Sequence, residues 1–316
     1  MKTIKTEILG ADVAGYDRAA AILAAGGLVS FPTETVYGLG ADARDDQAVA
    51  RIYAAKGRPS FNPLIVHLSA TDAVADYVDM TPQARKLADA FWPGALTLVL
   101  PIKADAKVSK LVTAGLQSLA VRVPDHPVAA QVLSSFGGPI AAPSANPSGR
   151  ISPTTAAHVR AGLDGRIDGI VDGGACGVGV ESTIVSCVGA PTLLRAGGIP
   201  VDAIEACLGT VLLRDEDPAA PAAPGQLASH YAPTGQVRLN APCAEAHETY
   251  LGFGAGDAAL NLSPSGDLIE AAANLFAMLH ELDALGAKHI AVGPIPDHDL
   301  GQAINDRLRR AAAPRD

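Results

Sequence analysis

Short apolar runs alternate with stretches of helical period through the first two-thirds of this chain. That alternation restricts the fold more than any other feature. Leu28 to Phe31, Leu64 to Leu68, Ala95 to Ile102, Leu119 to Val123 and Pro139 to Ala142 read as buried strands. Between them lie segments with helical signals. Tyr16 to Ala25 stops at Gly26-Gly27, and Asp45 to Lys56 places Ala48, Val49, Ile52 and Tyr53 on one face. Further helices are expected from Thr71, from Thr81 to about Trp92-Pro93-Gly94, over Pro127 to Phe136 and over Thr154 to Leu163. Three strands then cluster: Ile167 to Val171, Ser182 to Cys187 and Thr192 to Leu194. Helix–strand alternation followed by clustered strands predicts an α/β domain with a mixed sheet over residues 1–208.

Residues 209–236 break the pattern. Arg214-Asp215-Glu216-Asp217 leads into a Pro/Ala-rich run with Pro218, Pro221, Pro224 and Pro233, which reads as a semi-rigid linker. A small second α/β domain, Rossmann-like, is expected over 237–316. It has strands at Val237 to Leu239 and His289 to Val292, and helices at Leu268 to Leu285 and Leu300 to Ala312.

Charge narrows the function classes. Residues 1–208 carry 17 Lys+Arg against 19 Asp+Glu, and residues 209–316 carry 7 against 14. Neither part has the basic balance of a nucleic-acid binder, so any anion site in the first part rests on a few placed cations. No apolar run approaches membrane-spanning length, and MKTIKTEILG lacks a signal-peptide core, so a cytoplasmic, membrane-free protein is expected. Cys176, Cys187, Cys207 and Cys243 form no C-x-x-C pair, so neither a zinc site nor a disulfide framework is expected.

Polar groups concentrate at strand ends in four places. In FPTETVYGLGADA, Thr33, Glu34 and Thr35 directly follow a strand; they are either a helix cap with a turn or part of a site. In KGRPSFNPLIVHL, Lys56 and Arg58 either complement a helix C-terminus or anchor phosphates, with Asn62 and His67 nearby. In SLAVRVPDHP, Arg122 sits inside an apolar strand; it lies on an exposed face or needs an anionic partner. In AAPSANPSGRISPTT, Pro143, Pro147 and Pro153 restrict the backbone around Ser144, Asn146 and Ser152. The Gly-rich DGGACGVGVEST lacks a phosphate-loop signature, and GFGAG reads as a turn. No G-x-S-x-G elbow is present, and the histidines are scattered. This points to chemistry by positioning and charge, as in nucleotidyl or phosphoryl transfer.

With these residues in view, the sequence resembles the YrdC-like threonylcarbamoyl-AMP synthases in their longer, two-domain form. The resemblance rests on PTETVYGLG, KGRPSFNPLIVH, FWPGALTLVL, LAVRVPDHP, APSANPSG and ESTIV, in that order, across residues 15–208. SHYAP and GQAINDRLRRAA extend it. It implies a twisted open α/β sheet with a large concave face. It also implies synthesis of threonylcarbamoyl-AMP and pyrophosphate from L-threonine, bicarbonate or CO2, and ATP. The product would feed a separate tRNA threonylcarbamoyl transferase system, without stable nucleic-acid binding by this chain. Lys56, Arg58, Ser144 and Asn146 match the family's reacting-centre residues. Asn62, Ser118, Ser152 and Arg195 match nucleotide contacts, and Thr35, His67, Arg122, Ala142 and Ser182 match threonine contacts. The linker is expected to fold over the site so that His230 or Tyr231 touches the nucleotide, although Gln226-Leu227-Ala228-Ser229 lacks the family's usual basic residue. Mg2+ would accompany ATP, held mostly by phosphates and water. The rival readings are a carbamoyl-transfer relative and an RNA-binding or ribosome-assembly module.

Overall fold

The structure is a computed structural model that describes residues 4–59, 62–214 and 229–314. Among these residues the chain opens with β1 (Glu7–Gly10), α1 (Val13–Ala24), β2 (Val29–Pro32), β3 (Tyr37–Asp42) and α2 (Asp46–Lys56). There follow β4 (Ile65–His67), a 3-10 turn at Asp72–Asp76, α3 (Pro82–Phe91), β5 (Leu96–Pro101), α4 (Lys110–Thr113) and β6 (Ser118–Arg122). The first unit ends with α5 (Pro127–Phe136), β7 (Ile140–Ala141), α6 (Ala156–Leu163), β8 (Gly169–Asp172), β9 (Thr183–Ser186), β10 (Thr192–Arg195), α7 (Val201–Leu208) and β11 (Leu213–Arg214). The second unit comprises β12 (Gln236–Arg238), β13 (Thr249–Gly252), β14 (Leu260–Asn261), α8 (Leu268–Ala284), β15 (His289–Val292) and α9 (Gly301–Ala312). Residues 215–228 of the expected linker, with Pro218, Pro221 and Pro224, lie outside the described residues.

Local chemistry accounts for the element ends near the cavity. Asp45 caps α2 by accepting from the Gln47 and Ala48 amides, and Gly57 closes it at φ 60°. Pro127 opens α5 at a position needing no amide hydrogen. The helix expected from Thr71 is instead the short 3-10 turn. Thr33 to Thr35 cap no helix; they lie in the loop joining the antiparallel strands β2 and β3.

The first unit is a mixed sheet of eleven strands, in the order β1-β8-β2-β3-β7-β4-β6-β5-β9-β10-β11 among the described residues. Strand alternation divides its faces. Leu119 and Val121 of β6, Leu96 and Leu98 of β5, Val66 of β4 and Val185 of β9 join the main core with Val49, Ile52, Leu87 and Ile204 from the helices. The intervening residues Ile65, Val99, Ala120 and Ile184 form only a small apolar patch on the other face. By the same alternation, His67 follows Ile65, Arg122 follows Ala120, Thr97 precedes Val99 and Ser182 precedes Ile184 on that face. Ile65, His67, Arg122 and Ser182 on this face line the polar cavity.

The second unit is a parallel sheet in the order β12-β15-β13-β14. Its core of Leu275, Phe276, Leu279, Ile290, Ile304 and Leu308 is continuous with Val36, Ile151, Val180 and Tyr231. Contact between the units is close at Gly179, where a Cβ would meet the Ala272 carbonyl of α8 at 2.3 Å; its φ of +77° also favours glycine. No helix among the described residues is long and apolar enough to cross a membrane.

Candidate active site

One cavity of about 510 Å3, open solvent included, lies on the face of the sheet that carries His67, Arg122 and Ser182. Its wall comes from the β2–β3 loop, the end of β4, Arg122 at the end of β6, the loop after β7, and Glu181 and Ser182 ahead of β9. Arg58 and Arg195 reach it from the α2–β4 connection and from the end of β10, and His230 and Tyr231 complete its lining.

Arg58 is buried; its Nη2 donates to the Pro63 carbonyl at 3.0 Å. Burial pushes its pKa down to about 10, so it stays cationic at neutral pH. Lys56 lies behind the wall. Its Nζ donates to the Ser144 carbonyl at 2.6 Å and to the Asn146 carbonyl. Burial first, then the Arg58 charge, pushes the lysine well below its usual pKa. Lys56 thus pins the loop that presents Ser144, and Ser144 bridges to Gly38 of β3. The four expected reacting-centre residues divide: Arg58 and Ser144 line the cavity, Lys56 braces it, and Asn146 lines a neighbouring cavity. The Asn146 amide donates to the Pro147 and Arg150 carbonyls at 2.8 and 2.9 Å. The Asn62 side chain is fully buried, and its amide makes no hydrogen bond among the described residues.

At the opposite end, Arg122 donates from Nη1 to Thr35 Oγ1 at 2.9 Å and from Nε to the Gly94 carbonyl at 3.1 Å, and it pairs with Glu34 at 2.6 Å. Thr33 Oγ1 lies 2.8 Å from Thr35 Oγ1 and so fixes that hydroxyl. His67 is neutral, its pKa pushed down to about 3 by burial and by Arg122. Ser182 Oγ lies 2.7 Å from Thr97 Oγ1, while the Arg195 Nη2 donates to the Ser182 carbonyl at 2.9 Å. Gly197 permits this approach of the chain after β10: a Cβ there would sit 2.3 Å from the Glu181 carbonyl. The Ala142 amide donates to the Ile65 carbonyl at 2.9 Å, while the residue lines the cavity.

The part of the lining made by His230 and Tyr231 is held from the second unit. Tyr231 is buried at a φ of 61°, an uncommon conformation for a bulky residue. Its ring packs on Phe276 at 5.5 Å and lies 5.2 Å from the Arg307 guanidinium carbon. The His230 Nδ1 accepts from the Tyr231 amide at 3.0 Å. With its pKa pushed down to about 3 by burial, that imidazole is neutral and carries its proton on Nε2. Glu181 accepts from Ser152 Oγ at 2.5 Å and from Arg307 Nε at 2.8 Å. Burial alone would raise the Glu181 pKa, but Arg307 and Arg195 outweigh it and hold the carboxyl at about 2.

Thr35, His67, Arg122, Ala142, Ser182, Arg58, Ser144, Arg195, His230 and Tyr231 therefore meet in one cavity. Ser152 stands behind Glu181, and Ser118 opens β6 four residues before Arg122, paired with Pro101. Asn146 lines the second cavity, of about 1450 Å3 with open solvent, together with His158 and His280, whose rings stack at 4.0 Å. Sequence reasoning missed the roles of Glu181, Arg307 and Thr33. Glu181 stood next to Ser182 in a quoted motif. Arg307 falls on the buried face of α9 with Ala303, Ile304, Leu308 and Ala311, and a cation in an apolar stripe was the available signal.

Two family models match the chain. A family model described as "Telomere recombination" matches residues 21–197, and one described as "Threonylcarbamoyl-AMP synthase, C-terminal domain" matches residues 199–313. A Bacillus subtilis threonylcarbamoyl-AMP synthase is 44% identical, covering 94% of this chain and 93% of its own length. A Pyrococcus abyssi threonylcarbamoyl-AMP synthase is 39% identical over 93% of each chain. The crystal structure of P. abyssi Sua5 complexed with L-threonine has a TM-score of 0.90 at 37% identity, covering 97% of this chain and 98% of that one.

Proposed function

This chain belongs to the threonylcarbamoyl-AMP synthase family, in its two-domain form, and we propose from that premise how its cavity performs the reaction. The enzyme is an L-threonylcarbamoyladenylate synthase: it joins L-threonine, CO2 or bicarbonate, and ATP into threonylcarbamoyl-AMP and releases pyrophosphate. The observation that carries the assignment is the gathering of Arg58, Arg195 and Arg122 with the hydroxyls of Thr35, Ser144 and Ser182 around one cavity.

Arg122, Thr35, His67, Ser182 and the Ala142 backbone take threonine, with the Arg122 guanidinium on the α-carboxylate. Arg58, Ser144, Arg195, His230 and Tyr231 take the nucleotide, with Asn62, Ser118 and Ser152 as further contacts. Lys56 and Asn146 set the loop that carries Ser144. The neutral α-amine of threonine forms a bond to the carbon of CO2 and releases a proton, giving a carbamate. A carbamate oxygen then attacks the α-phosphorus, and the bond from that phosphorus to the bridging oxygen breaks as pyrophosphate leaves. With substrates bound, His230 and Tyr231 help to exclude water, which protects the carbamate and strengthens each charge contact. Arg58 and Arg195 stabilise the charge that builds on the phosphate oxygens.

Among the described residues no group of three His, Cys, Asp or Glu side chains forms a metal cage, and Glu34 and Glu181 are already paired with Arg122 and Arg307. This donor set fits a Mg2+ that arrives with ATP and is held by phosphate oxygens and water; it would neutralise phosphate charge there. We take residues 1–208 with β11 (Leu213–Arg214), which pairs with β10, as the catalytic domain, the rest of 209–236 as the linker, and 237–316 as the small domain. The protein works in the cytoplasm, and its product passes to a tRNA threonylcarbamoyl transferase system. The test is pyrophosphate release from ATP. Release that requires threonine and bicarbonate together is expected; release indifferent to either one overturns the reading.

A further inference from the structure

We infer that Arg307 of α9 is a positioning residue through which the second domain sets the nucleotide end of the cavity. The inference rests on the reading of that end as a nucleotide site. The described cavity lining ends at Tyr231, so the second domain contributes no wall of its own. It nevertheless grips two parts of the cavity from one turn of α9. Arg307 is fully buried, and its Nε donates to Glu181 Oε2 at 2.8 Å. The same guanidinium faces the Tyr231 ring at 5.2 Å. Its Nη1 donates to Asp306 Oδ2 at 2.7 Å, and Asp306 Oδ1 accepts from Arg310 Nε at 3.0 Å. The Arg310 carbonyl in turn accepts from the His230 amide at 3.2 Å. The two parts thus share a single anchor.

Stability alone does not call for this arrangement. Buried ion pairs generally hold a fold no better than apolar side chains of the same volume. Glu181, however, is a buried carboxylate beside the place assigned to a triphosphate. Unopposed, it would repel that ligand. Arg307 balances its charge from outside the cavity and keeps Ser152 and Tyr231 in register with it. Without this guanidinium the carboxylate would draw on the cations of the cavity, and Tyr231 would lose the charge that faces its ring.

The experiment is a double-mutant cycle of Arg307→Gln and Tyr231→Leu, read by calorimetric titration with a non-hydrolysable ATP analogue and with threonine. Circular dichroism confirms folding. Arg307→Gln is expected to weaken the nucleotide analogue about tenfold, the scale of a lost charge-assisted contact. Threonine affinity should stay within about twofold, since Arg122 and its partners are untouched. The double variant is expected to bind the analogue no worse than the weaker single variant. Additive losses, or an unchanged affinity in folded Arg307→Gln, overturn the inference while leaving the enzyme assignment standing. If Arg307→Gln does not fold, Arg307→Lys, which keeps the charge beside Glu181, is titrated instead: an affinity for the analogue within about threefold of the parent is expected, and a loss of about tenfold in the folded lysine variant overturns the inference. A wild-type protein that binds no nucleotide removes the reading of the cavity and this inference with it.

Discussion

Arg122 and Glu34 meet at 2.6 Å on the cavity wall, so the guanidinium is balanced before any substrate arrives. An arginine in an apolar strand is tolerable here because the strand presents it to the cavity and because Glu34, Thr35 and the Gly94 carbonyl receive it. Glu34→Gln leaves the buried cation without a counter-charge, a change that costs about 3–5 kcal/mol in comparable settings. The variant should melt at a lower temperature. Threonine returns a carboxylate to Arg122, so saturating threonine should raise the melting temperature more in the variant than in the parent. Equal shifts in a thermal melt would mean that the carboxylate does not reach Arg122.

Arg58→Ala removes a guanidinium assigned to the nucleotide's phosphates and to the charge that builds on them during nucleotidyl transfer. Turnover is expected to fall about 10²–10³-fold, as when one transition-state donor is deleted. Steady-state pyrophosphate release checks it, and a near-normal rate in a folded variant removes Arg58 from the reacting centre.

Lys56 separates bracing from direct contact. Its Nζ is engaged by the Ser144 and Asn146 carbonyls, and Lys56→Met leaves both without that donor. Each unpaired buried carbonyl costs about 1–3 kcal/mol. Melting temperature and turnover should therefore fall together. Lost turnover with an unchanged melting temperature would instead place the lysine on the phosphates.

Serine tests the threonine end. It lacks only a methyl group, a difference worth roughly 1–3 kcal/mol, or about 10–200-fold in kcat/KM. Measurable serine-dependent pyrophosphate release is expected. Discrimination beyond about a thousandfold would show that a contact other than methyl packing rejects serine.

Acid should destabilise the protein in two stages. His67, His158 and His230 are held near pKa values of about 3, 4 and 3, chiefly by burial, so the unfolded chain binds more protons as pH falls below about 6.5. The stability tied to these neutral rings is complete above that pH and is lost toward their folded values. Glu181 falls from 4.5 to about 2, so its contribution, roughly 3 kcal/mol, is present above pH 4.5 and lost as pH drops toward 2. Denaturant midpoints measured against pH should show both stages. Glu181→Gln should shrink the lower stage, to which Glu248 also contributes, and His158→Gln the upper; a flat profile between pH 7 and 3 refutes the account.

Much of the first unit was legible because local patterns and global fold agree there. Asp45 and Gly57 bracket α2 as their chemistry requires, and Pro127 opens α5. Short or half-exposed strands such as β1 and β11 carried little periodic signal, since burial patterns of mixed exposure and two-residue lengths give no repeat to read. The β2–β3 loop looked equally like a helix cap, because threonine and glutamate serve both purposes and only the antiparallel pairing of Phe31 with Gly38 distinguishes them.

By itself the chain determined the α/β alternation, the polar strand ends and the residue types that a carboxylate and a triphosphate require. These follow from side-chain period, turn chemistry and charge, all of which act between near neighbours. Tertiary structure alone decided that Lys56 braces Ser144 while Arg58 faces the cavity, that Glu34 meets Arg122, and that Arg307 reaches across 126 positions to Glu181. Such partnerships depend on which faces of distant elements are brought together, and what selects among them is the large cost of leaving a buried charge without a partner.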